Sequence, residues 1–473
     1  MDGKSDHNTE RPMAGASPHL ERRLGLLNAT SINMSNMVGS GTFVTLPLML
    51  GAMGGPQALL GWLVGAMIAL SDGLVWSELA AALPGSGGTY VYLREAFGRN
   101  RWGRFWAFLF VFQMVSSGPL EIASGNIAMA QYVGYLWRGM SPFEGKLVAA
   151  GIGVLSTALL YRKITSIARL MLALWIGMLV SVGWVILTGI SNFNPELAFS
   201  FPPNAFSFST GFFLGLGSTT LYVMYCYLGY YGVCYLGDEV VDPPRTIPRA
   251  VIISVVAVMA INLLFCLSIV GVVPWREVIQ SQYMVCEFMQ RIYGNWAGIV
   301  ACLLMLWTSF AGIYALTLTY SRIPYAAALD GNFWRVFAAL HPKKGFPHVS
   351  LLLIGGLSAA ASFFNLAEVI NALITSRILV QFVGQILALW WLRSYHPEVV
   401  RPFQMALYPL PSAVALFGWM FVFLSAGYRY IAYGLLTTLA GCAVFLISAK
   451  RNQSWPFAIP GQPALLTQEK ETK

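Results

Sequence analysis

The chain has 473 residues, of which 57% are hydrophobic and only 10% are charged. Soluble domains carry about 25% charged residues, so this composition excludes an ordinary soluble protein and predicts an integral membrane protein. The formal net charge of +9 could suggest nucleic acid as a partner, but the positions of the basic residues, described below, argue against it.

Apolar segments long enough to cross a bilayer recur along the chain. A spanning helix needs about 20 mostly apolar residues, which here predicts an all-α membrane protein with about 12 transmembrane helices. The polar segments 1–24 and 450–473 are expected to be disordered cytoplasmic tails. The predicted spans are residues 25–50, 56–82, 102–136, 146–161, 166–190, 208–236, 248–274, 294–320, 348–366, 368–392, 404–426 and 428–449.

The basic residues are unevenly distributed over the predicted loops. With twelve spans, 23 of the 29 Lys and Arg residues fall on the side that holds both termini, and five fall on the other side. Cytoplasmic loops of membrane proteins carry such an excess. We therefore expect a multi-pass protein of the plasma (inner) membrane with both termini cytoplasmic. Its expected partner is the lipid bilayer, and no nucleic acid is expected to bind.

Two predicted spans are interrupted by glycines, at residues 37–43 in the first span and 227–232 in the sixth. Unpaired backbone groups survive at membrane depth only inside protein or beside a water-filled cavity. Paired breaks in the two halves of a chain indicate a transporter's substrate site. We therefore predict two inverted five-helix repeats (25–190 and 208–395) in a core that spans 25–395, with two extra helices at 404–449.

Two loops between spans carry local signals. Residues 83–98 begin with Pro84 and Gly85 and continue as an amphipathic segment with tyrosines, which we expect at the membrane interface. Residues 237–249 combine both charges with three prolines. They predict a rigid turn, with Pro248 at the start of the seventh span.

Four motifs, in order along residues 25 to about 400, resemble the amino acid–polyamine–organocation superfamily of secondary transporters. The resemblance implies a LeuT-like fold with helices 1 and 6 broken, alternating access, and substrates with an amino group. The motifs are the glycine break at 39–43, Glu78 with the loop 84–90, the stretch 239–250 after the sixth span, and the segment 321–331 at the end of the eighth.

The same resemblance assigns roles to the two breaks. Backbone N–H groups of Ser40, Gly41 and Thr42 are expected to bind a carboxylate, because a helix N-terminus offers free donors and a positive dipole end. Carbonyl groups of Met37, Tyr225 and Leu228 are expected to bind an ammonium group, with Tyr225 covering the substrate. Alternatively, the glycines only allow close helix packing. The other candidate binding residues are Gly39, Gly229, Tyr231, Glu121 and Asn126.

Three charged residues lie deep within predicted spans, where ionisable side chains are costly and usually functional. They are Asp72, Glu121 and Arg377. Glu121 precedes residues 125–129, which resemble a helix that lines the distal part of the pocket in arginine- and agmatine-exchanging relatives. Glu121 is therefore expected to contact a basic substrate tail or to carry a coupling proton. The alternative is a static ion pair of Glu121 or Asp72 with Arg377.

Two positions depart from the family pattern. Tyr231 stands where diamine carriers often have a glutamate, and the fifth span lacks the lysine of many proton-coupled relatives. The coupling mechanism therefore stays open between proton, sodium and exchange. Thr308 and Ser309 are the candidates for a sodium site, and neither another metal nor a cofactor is predicted.

The sequence thus predicts a permease for secondary active transport of amino acids, by proton symport or exchange. A carrier of polyamines or other cationic amines is the alternative. A membrane-embedded enzyme is disfavoured because the predicted spans hold no histidine except His348 at the edge of the ninth, and the chain has no glycine-rich phosphate loop. A receptor is disfavoured because it would not need two broken helices.

Overall fold

The computed structural model of the chain describes residue 22 and residues 24–39, 41–85, 87–99, 102–161 and 164–451. For residues 164–172 and 238 only the backbone is described. The predicted tails, apart from Arg22, Leu24, Lys450 and Arg451, lie outside the described residues, and so does Ser40.

Helices account for most of the described residues. Short 3₁₀ turns join several of them, and a π-helical turn, Ile378–Val383, follows Arg377. The helices are α1 (Leu26–Met37), α2 (Gly41–Met53), α3 (Leu60–Ala82), α4 (Thr89–Ala96), α5 (Trp102–Leu136), α6 (Pro142–Leu160), α7 (Ile164–Ser191), α8 (Pro195–Ala198), α9 (Thr210–Tyr227), α10 (Pro243–Val270), α11 (Trp275–Gln280), α12 (Met284–Tyr293), α13 (Asn295–Tyr320), α14 (Arg322–Leu329), α15 (His348–Ala361), α16 (Leu366–Arg377), α17 (Gly384–Tyr395), α18 (Leu410–Ser425) and α19 (Tyr428–Arg451).

Eight helical segments of the described chain are long and apolar enough to cross a membrane, and α1 with α2 makes a ninth. An all-α multi-pass membrane protein is thereby confirmed, whereas the predicted count of twelve is not. The predicted spans 348–366 and 404–426 contain only the shorter apolar helices α15 and α18. Pro409 and Pro411 explain the late start of α18, because proline is favoured at a helix start and disrupts a helix interior.

Both predicted interruptions are present in the structure. α1 ends at Met37 and α2 begins at Gly41, with an angle of 45° between them. α9 ends at Tyr227, and Gly229 then adopts a φ of +107°, which a side chain rarely tolerates. The end of the predicted span 208–236 is a 3₁₀ turn, Gly232–Tyr235, rather than an α-helix.

The two interrupted segments pack against each other. α2 lies against α9, and α1 lies against α10 and the 3₁₀ turn after the second break. Asn33 Oδ1 accepts a hydrogen bond from the backbone N–H of Val233 at 2.8 Å. The backbone of Leu24 pairs with Glu239 and Val241 at 2.9 Å. These contacts fix α1 beside the second break.

One expectation about the loops was wrong, and another stays a prediction. Tyr90 and Tyr92 of α4 are only 1% exposed because α4 packs against α5, and the position of α4 at the membrane interface stays a prediction. α10 begins at Pro243, so Pro248 lies inside the helix. Pro243 and Pro244 occupy the first turn, where the missing N–H groups are not needed for intrahelical bonds.

Candidate functional site

A small cavity lies where the first break meets α5, α9 and α13. Its volume is about 30 Å³, which is room for one or two water molecules and not for an amino acid. Binding of a larger ligand therefore requires the surrounding groups to move. The described lining residues are Asn36, Met37, Gly39, Gly41, Glu121, Gly125, Tyr225, Ser309, Gly312, Ile313 and Leu316.

Glycines allow the first break to approach its neighbours closely. A Cβ atom placed on Gly312 would lie 3.3 Å from the Cα of Gly39. A Cβ atom on Gly41 would lie 3.2 Å from Cε1 of Tyr225. The backbone of the break, rather than side chains, therefore faces the cavity at these positions.

The first break exposes backbone groups of both kinds. Among the described residues, nothing accepts a hydrogen bond from the N–H groups of Gly41, Thr42 and Phe43, and nothing donates one to the carbonyl of Met37. Free amides at the start of α2 can bind an anion, and the free carbonyl at the end of α1 can bind a cation. The Thr42 side chain is engaged elsewhere, because its hydroxyl donates to Asn262 Oδ1 at 2.9 Å.

Tyr225 brings the second interrupted segment to the cavity. Its ring lies against Gly41, and its hydroxyl shares a hydrogen bond of 2.7 Å with Ser124 Oγ. Its carbonyl accepts a hydrogen bond from Leu228 N at 3.3 Å. A rotation of this side chain would enlarge the cavity without moving a helix.

A buried ion pair forms one wall of the cavity. Arg377 Nη1 lies 2.5 Å from Glu121 Oε2, and the two side chains are 0% and 4% exposed. Tyr320 donates to the same carboxylate oxygen at 2.5 Å. Arg377 also donates from Nε to Ser117 Oγ at 3.0 Å. The pair therefore carries no net charge, although Glu121 itself faces the cavity.

Tyr231 connects this ion pair to the second break. Arg377 Nη1 lies 3.4 Å from the hydroxyl of Tyr231, whose ring stacks on Trp76 with centroids 4.5 Å apart. Asp72 is separate from the ion pair. It accepts hydrogen bonds from Trp76 Nε1 at 2.9 Å and from the hydroxyl of Tyr230.

Comparison with known proteins identifies the family of the chain. A family model described as amino acid permease matches residues 24–459. The chain belongs to the amino acid permease family. Its members are transporters and not enzymes, so amino acid transport is the function of the family to which this chain belongs.

Several proteins are similar to this permease. An uncharacterized transporter of Mycobacterium tuberculosis is 31% identical over 72% of the chain and 73% of its own length. The large neutral amino acids transporter small subunit 2 of Homo sapiens is 26% identical over 94% of the chain and 84% of its own length. The cystine/glutamate transporter of Homo sapiens is 25% identical over 93% of the chain and 87% of its own length.

The permease brings about half of the sequence-predicted binding residues together at the cavity. The others have different surroundings: Asn126 donates to Ser362 Oγ at 3.2 Å, and Thr308 donates to Leu304 O at 2.9 Å. Leu228, Gly229 and Tyr231 lie in the second break but are not among the described lining residues, and Ser40 lies outside the described residues. The predicted residues that line the cavity are Met37, Gly39, Gly41, Tyr225, Glu121 and Ser309.

Sequence reasoning missed Asn36, Gly312, Ile313 and Leu316 of the lining. Asn33 and Asn36 are polar residues three apart on α1, and residues at this spacing share a helix face. That spacing was a usable signal for a polar face of α1. Gly312 gave no comparable signal, because its role depends on a contact with Gly39 that only the packed structure reveals.

A second polar network lies away from the cavity, at the end of the permease where α4, α14 and α17 terminate. Tyr90 donates to Asp330 Oδ2 at 2.9 Å, and Arg94 pairs with the same carboxylate. Burial, together with the negative charge of Asp330, raises the pKa of Tyr90 above its usual value. The phenol therefore stays protonated and remains a donor. Glu78, which is fully buried, pairs with Arg393 at 2.7 Å.

Proposed function

We propose that this permease carries amino acids by alternating access, with the substrate bound between the two interrupted helices. The observation that carries the proposal is the meeting of Gly41, at the start of α2, with Tyr225, near the end of α9, at one cavity. Free amides beside a free carbonyl match the two charged ends of an amino acid. In this proposal the α-carboxylate binds at the amides of residues 40–42 and the α-ammonium near Met37 O.

The charges around the cavity favour substrates with uncharged side chains. Glu121 is the single charged residue among the described lining residues, and it is neutralised by Arg377. A cationic side chain would have to compete with Arg377 for the carboxylate. The similarity to a transporter of large neutral amino acids points in the same direction.

A carrier of polyamines or other cationic amines is the second candidate. The position of Glu121 at the cavity favours it, because a carboxylate can bind an ammonium group. Against it stand the ion pair with Arg377 and the aromatic ring of Tyr231, which stacks on Trp76.

The proposed mechanism uses the LeuT-like arrangement of two inverted five-helix repeats. In this arrangement α1 with α2 opens the first repeat, α9 with the following 3₁₀ turn opens the second, and α18 and α19 are the two added helices. Interruptions at the start of both halves support it. We further propose the plasma (inner) membrane, with both termini cytoplasmic. The driving force is a proton gradient or exchange; Ser309 alone of the sodium candidates lines the cavity.

Uptake into proteoliposomes tests this function. The purified permease is reconstituted, and entry of labelled L-leucine, L-glutamate, L-arginine and putrescine is followed with and without an imposed proton gradient. We expect L-leucine to enter and to exchange with internal unlabelled L-leucine. Entry of putrescine alone would establish the cationic amine carrier instead, and no entry of any compound would contradict carrier function.

A further inference from the structure

Asp72 differs from the other buried carboxyl groups of the described chain. It lies in the middle of α3 with 0% exposure. Glu121 pairs with Arg377, and Glu78 pairs with Arg393. Within the described residues, Asp72 has no cationic partner, and its Oδ1 atom has no hydrogen bond of ordinary length, although the indole of Trp419 on α18 faces the carboxyl group. A buried carboxylate without a cation is costly, and binding a proton removes that charge.

The surroundings of Asp72 lead directly into the second break. Its Oδ2 atom accepts hydrogen bonds from Trp76 Nε1 and from the hydroxyl of Tyr230. Tyr230 follows Gly229, whose φ of +107° marks the turn of the broken segment. Trp76 also stacks on Tyr231, which contacts Arg377. A change of charge on Asp72 therefore acts on both tyrosines of the break.

The groups that face Asp72 include no competing cation. Of the titratable residues on elements packed against α3, Tyr230 alone contacts the carboxyl group. Arg393 is held by Glu78, about 9 Å further along the helix at 1.5 Å per residue. Arg245 and Arg249 of α10 are exposed at the start of that helix. Other titratable groups pack on Trp62 or Trp76: Tyr227, Cys266, Tyr92, Tyr231 and Tyr235.

We propose that Asp72 is the proton-binding residue that couples amino acid movement to a proton gradient, and that Tyr230 transmits its protonation to the second break. In one step, a hydronium ion from one side of the membrane gives its proton to Asp72 Oδ1 and becomes water. The reverse transfer releases the proton on the other side. Glu121 is instead engaged by Arg377 and Tyr320. The inference rests on the proposed function and names its coupling ion.

The test separates proton-driven uptake from exchange in proteoliposomes. The probe is a mixture of L-leucine, L-glutamate and L-arginine, each labelled in turn, and internal pH is followed with pyranine. Coupling between two ligands is typically about 5–150-fold, so Asp72→Asn is expected to lower gradient-driven accumulation by about tenfold and to abolish substrate-linked acidification. Exchange of external for internal amino acid needs no net proton movement and is expected to persist.

Two further variants make the result decisive. Tyr230→Phe removes the hydroxyl but keeps the ring, and it is expected to weaken gradient-driven accumulation while exchange continues. Ser77→Ala is the matched control, because Ser77 is equally buried in α3 and its hydroxyl donates only to Gly73 O at 2.7 Å. It is expected to behave as the unmodified chain.

Three outcomes would overturn the proposal. Asp72→Asn could accumulate amino acids as the unmodified chain does. It could lose exchange and accumulation equally and unfold at a lower temperature, which would indicate a structural role. The unmodified chain could exchange amino acids but show neither gradient-driven accumulation nor substrate-linked acidification. Absence of exchange in the unmodified chain would instead contradict the proposed function itself.

Discussion

At the scale of single residues, Arg377 shows how this protein places a charge in an apolar environment. The guanidinium group is fully buried and is surrounded by Glu121, Ser117 and the hydroxyls of Tyr231 and Tyr320. Its carbon also lies 5.3 Å from the ring centroid of Tyr320. The three hydroxyl groups share the positive charge of Arg377 and belong to three separate segments. Arg377 thereby links α5, α13 and the second break to the tenth predicted span.

Removal of the Glu121 carboxylate should show how strongly the stability of the fold depends on the ion pair with Arg377. Glu121→Gln leaves Arg377 charged and without its carboxylate, and breaking a buried ion pair in this way typically costs about 3–5 kcal/mol. We expect a clear fall in the unfolding temperature of the detergent-purified chain. The double variant Glu121→Gln, Arg377→Gln should recover much of the loss, because it leaves no unpaired charge.

Glu398→Gln provides the control for that measurement, since Glu398 is exposed and pairs only with His396. It should leave the unfolding temperature unchanged. Additive losses in the double variant would contradict a coupled pair. If Glu121→Gln instead alters selection for L-arginine or the pH dependence of uptake without lowering stability, Glu121 acts on substrate or proton.

Gly41 tests the cavity itself. In Gly41→Leu, the first side-chain atom alone would lie 3.2 Å from the Tyr225 ring and 3.6 Å from Cys226 Sγ. The remaining atoms would fill the small space between α2 and α9. We expect uptake of labelled L-leucine to fall to background while the chain still inserts and elutes as a single species.

The matched variant is Gly51→Leu on the same helix. Gly51 is exposed, and a Cβ atom there would lie 3.9 Å from its nearest neighbour, Ile279. It should transport normally. Unchanged uptake in Gly41→Leu would place the substrate elsewhere.

Predictions for single residues succeeded where the neighbouring residues in the sequence alone determine the local structure. Gly39 and Gly41 are poor helix formers within one short stretch, so the break they cause was visible. The choice between the two roles of Glu121 was not visible, because the partner Arg377 is 256 positions away and lies on another helix. The separation of Asp72 from Arg377 depended on packing in the same way.

At the scale of helices, the second break is held open by close contact with the first. A Cβ atom on Gly229 would lie 2.5 Å from Cβ of Asn36, and a Cβ atom on Gly232 would lie 2.3 Å from Nδ2 of the same side chain. α1 therefore lies directly on the backbone of the second break. Motion of one interrupted helix is transmitted to the other through this contact.

Gly229→Ala is predicted to disrupt that contact. A left-handed backbone costs an ordinary residue about 1–2 kcal/mol, and the new methyl group would also displace α1 at Asn36. We expect a lower unfolding temperature and loss of exchange. Gly211→Ala, at the start of α9, meets only Ser209 Oγ at 3.7 Å and should retain both properties. Equal behaviour of the two variants would show that this contact is dispensable.

Helix boundaries were predictable where proline or glycine ends a helix, and less so elsewhere. The long helices α5 and α19 match their predicted spans closely. The segment after Gly232 was predicted to continue the sixth span, but it forms a 3₁₀ turn whose Val233 amide is bound by Asn33 of α1. A contact between residues 200 positions apart decides this geometry, and local pattern cannot supply it.

At the scale of the whole molecule, the ion pairs near the ends of the helices lie where the basic residues concentrate. Arg94 joins α4 to Asp330 after α14, and Arg393 joins α17 to Glu78 near the end of α3. Met405 N also donates to Glu78 at 2.9 Å. If this side is cytoplasmic, as the charge distribution predicts, these contacts tie together the cytoplasmic ends of both halves of the core.

The orientation of the chain depends on whether α9 crosses the membrane. α9 has 18 residues, which gives about 27 Å at 1.5 Å per residue and nearly spans a hydrocarbon core of about 30 Å. The loops at Arg138 and Lys343 are separated by α6, α7, α9, α10 and α13. They lie on opposite sides if α9 crosses with the other four, and on the same side if it does not.

Labelling of single cysteines decides between these arrangements. Arg138 and Lys343 are exposed, whereas five of the six native cysteines are buried and Cys442, which is partly exposed, can be replaced by serine. With a maleimide that does not cross membranes, Arg138→Cys is expected to react in intact cells and Lys343→Cys only after lysis. Reaction of both before lysis would remove α9 from the spans and contradict the pairing of two interrupted membrane helices. Reaction of Lys343→Cys alone would keep α9 as a span but reverse the proposed orientation of the termini.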